Sequence, residues 1–146
     1  MAVTAGGVKV VGLTELRKAC AIMGEDMPLY LREELKKLAE VVAVKARAKV
    51  PVIEGTAKGS IRTVMAGAGV AVRGGSAKAP YYGWLDFGGR IRHMGPSHAH
   101  TMNHYLFRPY IKTGRYLYPA ADESAVEMAP MVEAMLDRLA VKAGWV

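Results

Sequence analysis

Apolar side chains recur at helical spacing near both ends of this chain and give way to short alternating runs in the middle. Leu13, Leu16, Ala19 and Ile22 or Met23 predict a short first helix, with Thr14 as its N-cap and Gly24 as its stop. Val8, Val10 and Val11 predict a short extended entry to it. The clearest helix comes next. Asp26 suits an N-cap, and Pro28 suits a first turn, where its missing N–H costs nothing. Leu31, Leu35, Leu38, Val42 and Ala46 follow on one stripe. Arg32, Glu33, Glu34, Lys36, Lys37 and Glu40 lie mostly off that stripe, and Glu33 to Lys37 is a favourable i,i+4 pair. Pro51 forces Val50 out of helical geometry and ends the element.

The middle reads differently. Pro51 to Gly59 is turn-rich and predicts a mobile loop. Ser60 to Ala66 predicts a strand, Gly67-Ala68-Gly69 a turn, and Val70 to Arg73 a second strand closed by Gly74-Gly75. Lys78 to Gly89 reads KAPYYGWLDFGG, and its aromatics predict a further strand with Leu85 and Phe87 inward and Asp86 outward. Residues 90–115 have no regular period and read as a long loop with at most a short strand or two. A last helix follows Tyr116-Leu117-Tyr118-Pro119. Its expected stripe is Ala121, Val126 or Ala125, Ala129, Val132, Met135 or Leu136, and Leu139. Pro130 should kink or split this helix, and Gly144 should close it. The fold class is therefore α+β, one domain over residues 1–146. A small, mostly antiparallel sheet of three to five strands is expected to pack against the long N-terminal and C-terminal helices.

Composition narrows the function. A chain of 146 residues, 51% apolar and 23% charged, suits one globular domain. The single cysteine, Cys20, excludes an intrachain disulfide and a zinc site built of thiolates, and reads as a small core residue. No apolar run approaches the roughly 18 residues of a membrane helix. The opening MAVTAGGVKVVGL lacks the basic and long apolar segments of a signal peptide, so the expected place of synthesis and assembly is the cytoplasm. The net charge of +7 is concentrated: residues 45–115 hold twelve of the twenty Lys and Arg but only Glu54 and Asp86 of the thirteen acids. Such a field favours polyanions or acidic protein surfaces.

Catalytic patterns are missing from the sequence. His93, His98, His100 and His104 share one window, but no Cys or acid lies between Gly88 and Ala121 to complete a metal site. Contact with partners is the better reading of that loop, and no cofactor is implied. Ser60, Ser76, Ser97 and Ser124 stand in no nucleophile elbow, and Ser60 and Ser124 read as turn and cap residues. The glycine pairs at 74–75 and 88–89 match no phosphate-binding loop. Tyr81, Tyr82, Trp84 and Phe87 beside Arg90 and Arg92 suit either base stacking on a nucleic acid or a protein interface, where aromatics and Arg are enriched. The interface is preferred, and a basic nucleic-acid-binding protein is the alternative.

Three segments carry a resemblance. They are ARAKVPVIEGTAKGSIR (Ala46 to Arg62), YYGWLDFGG (Tyr81 to Gly89) and GRYLYPAADES (Gly114 to Ser124). In this order and spacing they resemble the head–tail joining proteins of long-tailed bacteriophages, the neck or tail-completion family. The resemblance spans roughly residues 8–142. Asp86 stands where Glu is commoner, and the 90–113 loop is long and rich in His and Arg. The resemblance implies a non-enzymatic structural subunit of the virion, closing into a homo-oligomeric ring, most often a hexamer. That ring would sit between the head connector and the tail tube, beside other neck proteins, with DNA passing through. The implied subunit-interface residues are Tyr81, Tyr82, Trp84, Phe87, Tyr116 and Tyr118. The implied DNA-channel or partner contacts are Arg62, Arg73, Lys78, Arg90, Arg92, Arg108, Lys112 and Arg115.

Overall fold

The computed structural model describes residues 2–4, 7–9, 11–52, 54–67, 69–92 and 105–145. Its frame is a pair of long helices, α2 (Asp26–Lys49) and α5 (Leu117–Lys142). Three ion pairs give their register: Glu34 meets Arg138, Lys45 meets Glu127 and Lys49 meets Glu123. Each step up α2 is matched by an equal step down α5, so the two run antiparallel. α1 (Leu13–Met23) closes one side, with Cys20 buried among Met27, Leu31, Met135 and Leu139. A second apolar cluster joins Ala43, Ala46 and Val50 to Ala57, Ile61, Tyr82, Tyr116 and Ala120.

The expected stripe of α2 is the buried one: Leu31, Leu35, Leu38, Val42 and Ala46 are all in the core. Val50 adopts an extended ψ of 127° before Pro51, as the steric clash with the proline ring requires. Several readings are corrected. Helix α1 starts after Gly12 rather than at a Thr14 cap, and Asp26 is already inside α2. Glu34 is only 1% exposed, because position 34 falls between Leu31 and Leu38 on the core side. Lys37 therefore pairs with Glu34 and not Glu33.

In α5 the expected stripe holds at Ala121, Val132, Met135 and Leu139 but not at Val126 or Ala129, where Ser124 and Met128 supply the core face instead. Ala121, Ser124, Met128, Met135 and Leu139 face inward, while Val126 is 82% exposed and Leu136 is also exposed. The polar Ser124 hid this spacing. Its hydroxyl donates to the Ala120 carbonyl at 2.6 Å, which satisfies it inside the helix, so it is not a cap. Pro130 lies within one continuous helix, and the Gly144 N–H bonds back to the Val141 carbonyl at its end.

The strands differ most from expectation. Among the described residues they form three separate antiparallel pairs: β1 (Ala2–Thr4) with β2 (Gly7–Lys9), β3 (Arg62–Ala66) with β4 (Gly69–Arg73), and β5 (Gly89–Arg92) with β6 (Tyr105–Arg108). No sheet of three to five strands forms among them, because the aromatic segment is not a strand. Tyr82–Phe87 is a short helix, α4, and its Asp86 is fully buried. Residues Thr56–Gly59, expected in a loop, make one helical turn, α3. The β3–β4 hairpin lies on α2, with Val70 and Val72 against the core, whereas α4 is a packing neighbour of β5. The class remains α+β. No helix among the described residues is long and apolar enough to cross a membrane.

Candidate functional site

Asp86 is the hub of the middle region. Its Oδ1 accepts the backbone N–H groups of Arg115 at 2.7 Å and Tyr116 at 2.9 Å, and its Oδ2 accepts the N–H of Leu117 at 3.4 Å. A helix begins with N–H groups that have no intrahelical partner, and a carboxylate there also meets the positive end of the helix dipole. Asp86 thus caps α5 from a distant part of the chain. The Tyr82 hydroxyl donates to Oδ2 at 3.3 Å. Burial, and then the Asp86 carboxylate, push the Tyr82 phenol well above its usual range.

The glycines around this hub let backbone approach closely. A Cβ on Gly74 would lie 2.1 Å from the Tyr82 ring. Gly88 turns at φ 85°, and a Cβ there would lie 2.1 Å from the Pro109 carbonyl oxygen.

Arg115 is bound into the hub. Its guanidinium donates to the Asp86 carbonyl at 3.0 Å and to the Pro109 carbonyl. Arg108 lies 6.0 Å from the Trp84 ring centre and 5.9 Å from that of Tyr116, and donates to the Tyr116 hydroxyl at 2.9 Å. Phe87 and Tyr118 meet edge to face at 5.7 Å. Of the aromatics expected at a subunit interface, Tyr82 and Tyr116 are buried inside the chain itself. Tyr81, Trp84, Phe87 and Tyr118 are partly exposed.

Five of the other cations lie outward. Arg62, Arg73, Lys78, Arg90 and Lys112 are exposed. Arg62 and Arg73 are cross-strand partners at the open end of the β3–β4 hairpin, and Arg62 is held there by the Gly75 carbonyl at 2.8 Å. Arg92 is placed by its pairing with Tyr105. The four histidines, His93, His98, His100 and His104, lie outside the described residues, in the connection between β5 and β6.

The first motif segment is also tied together. Arg47 donates to the Ile61 carbonyl at 3.1 and 2.9 Å and pairs with Glu40 at 2.5 Å. Ser60 is the turn residue expected of it, since its Oγ donates to the Ala57 carbonyl and accepts the Gly75 N–H.

Sequence reading missed two sites of this polar scaffold. The first is Asp86, whose signal was its helical spacing from Tyr82. The second is Glu34, buried between Lys37 and Arg138, whose carboxyl is held below the usual glutamate range, chiefly by the hydrogen bond from Lys37. A crevice of about 290 Å³ beside β4 is lined mainly by apolar side chains, among them Leu38, Val42, Val72 and Met128. No protein-family model, curated protein or solved structure matches this chain.

Proposed function

We propose that this chain is a structural subunit of the neck of a long-tailed bacteriophage. Copies of it close into a ring, a hexamer, that joins the head connector to the tail tube while DNA passes through. In this reading it is assembled in the host cytoplasm, acts without catalysis or cofactor, and contacts other neck proteins and the tail tube protein.

The observation that carries the reading is the Asp86 cap. The acid of the Tyr81–Gly89 segment accepts the N–H groups of Arg115 and Tyr116, near the start of the Gly114–Ser124 segment. Two of the three resembling segments are thereby one structural unit, and in the first, Arg47 and Ser60 hold the Ala46–Arg62 turn in shape. Residue choices that serve a joint rather than a reaction suit a protein that works by shape.

The exposed cations give the ring reading its electrostatics. Like charge repeated around a ring is repulsive unless acidic partners or DNA meet it. Contact with phosphates positions DNA without reading its bases, which is what a channel needs. The same cations also support the second reading, a basic nucleic-acid-binding protein.

Purified virions decide between the two. Gold-labelled antibody against this chain should mark the head–tail junction in micrographs, and the chain should co-purify with virions at a fixed copy number. Its absence from virions, together with salt-dependent binding of bare DNA by the isolated protein, would leave the nucleic-acid reading in place of the neck.

A further inference from the structure

Two outward faces of the chain are opposite in charge, and each has exposed apolar side chains at its centre. The first is the β6 face. From Phe87 to Ala121 the sequence contains no Asp or Glu. Within that stretch Phe107 is 75% and Tyr110 68% exposed. Arg90 is the cross-strand neighbour of Phe107, and the exposed Lys112 follows Tyr110 by two residues.

The second face is the outer stripe of α5, where Asp122, Val126, Glu133 and Asp137 recur at steps of four, seven and four and all are exposed. Val126 is the most exposed large apolar residue of that helix, at 82%. The last two turns of α5 contain Arg138 and Lys142, but both are engaged with α2. Arg138 binds Glu34, and Lys142 sits 4.9 Å from the ring centre of Tyr30. The outer stripe is therefore acidic with an apolar centre.

We infer that the β6 face of one copy docks on the outer stripe of α5 of a second copy, with Phe107 seated against Val126 and the cations around Phe107 opposite Asp122, Glu133 and Asp137. An apolar centre inside a charged rim is the usual anatomy of a protein interface. Charge selects the partner. A symmetric pairing of β6 faces would set cation against cation, and a pairing of α5 faces would set acid against acid. The complementary pairing is head-to-tail, so each copy keeps one face unused and can receive another. Whether such a chain of contacts closes is where this inference rests on the ring reading; the pairing itself does not need it.

Two single-face variants test it by sedimentation equilibrium. Phe107→Asp retains the helix face, and Val126→Lys retains the β6 face. Each alone should be monomeric at concentrations where the unaltered chain forms higher oligomers, and an equal mixture should give a one-to-one dimer and nothing larger. Asp122→Lys with Glu133→Lys, which keeps Val126, should weaken self-association at low salt by about tenfold or more.

An unaltered chain that stays monomeric at every concentration would overturn the docking. So would either single-face variant self-associating normally, or the mixture failing to pair. A monomer that instead binds DNA, and loses it on Phe107→Asp, would assign the β6 face to nucleic acid. All of these leave virion labelling untouched, so failure here is distinguishable from failure of the neck reading.

Discussion

The Asp86 carboxylate meets the backbone N–H groups of Arg115 and Tyr116 across 29 and 30 residues of chain, at 2.7 and 2.9 Å. Tyr116, at the N-cap position of α5, makes no side-chain cap hydrogen bond, so the helix depends on Asp86 for its start. Removing the carboxylate would also leave the buried Tyr82 hydroxyl without its acceptor. Asp86→Ala should cost about 3 kcal/mol, a lost cap plus unsatisfied buried donors. Asp86→Asn keeps one acceptor oxygen and should cost roughly 1–2 kcal/mol. Urea denaturation measures both, and an Asp86→Ala midpoint equal to that of the unaltered chain would sink the capping account.

Glu34 predicts a pH dependence. Its carboxyl titrates below the ordinary glutamate value of 4.5, foremost because Lys37 donates to it and also because Arg138 does. A group whose folded pKa is depressed contributes stability that is full above its unfolded pKa and is lost as pH falls through the folded value. Unfolding midpoints should therefore drop as pH is lowered from about 5 through the acid range. Glu34→Gln should cost about 1–3 kcal/mol at neutral pH, and its acid slope should be shallower. Parallel slopes for the two proteins would show that other carboxyls govern the acid limb.

Two glycines of the middle region should respond very differently to one methyl group. Gly88 combines φ 85° with a Cβ position 2.1 Å from the Pro109 carbonyl oxygen, so Gly88→Ala should lose about 2 kcal/mol or more. Gly59 ends α3 with nothing within 4 Å of its Cβ position and no positive φ, so Gly59→Ala should stay within about 0.5 kcal/mol of neutral. Thermal melts of the two variants check the contrast, and equal effects would mean that the β6–α5 connection yields to relieve Gly88.

The helical frame was legible and the strand arrangement was not. Leu31 to Ala46 repeat at a spacing that only an α-helix turns to one side, and Pro51 ends it by local sterics, so neither needed the rest of the fold. The aromatics of Tyr81 to Phe87 favour a strand locally, but in the fold Asp86 meets the start of α5 and also accepts from Tyr82, one helical turn before it. Propensity loses to such a contact because capping and burial together outweigh the fraction of a kcal/mol, up to about 1 kcal/mol, that separates strand preferences. The first half of the α5 stripe was misread for a related reason: a serine that bonds its own helix is invisible to an apolar count. At the site, sequence grouped Arg108 and Arg115 with the outward cations, whereas pairing with Tyr116 and with the Asp86 and Pro109 carbonyls makes them part of the joint.

That division of the arginines gives the last prediction. Arg73, Lys78 and Lys112 are exposed, so replacing each with Ala should leave stability within about 0.5 kcal/mol. Arg108→Ala removes stacking on Trp84 and Tyr116 and a hydrogen bond, and should cost about 1–2 kcal/mol. DNA affinity should sort the same residues differently. Each phosphate contact removed lowers the slope of log affinity against log salt by about 0.9. The double variant of Arg73 and Lys78 should therefore reduce that slope by about 2, without changing the melting temperature. Arg108→Ala should lower the melting temperature and leave the slope within about one unit of the unaltered value. A salt titration of a fluorescent duplex, run beside thermal melts, reads both. If the double variant keeps the full slope, those two cations do not contact DNA, and a ring of the kind proposed above would have to line its lumen with other residues.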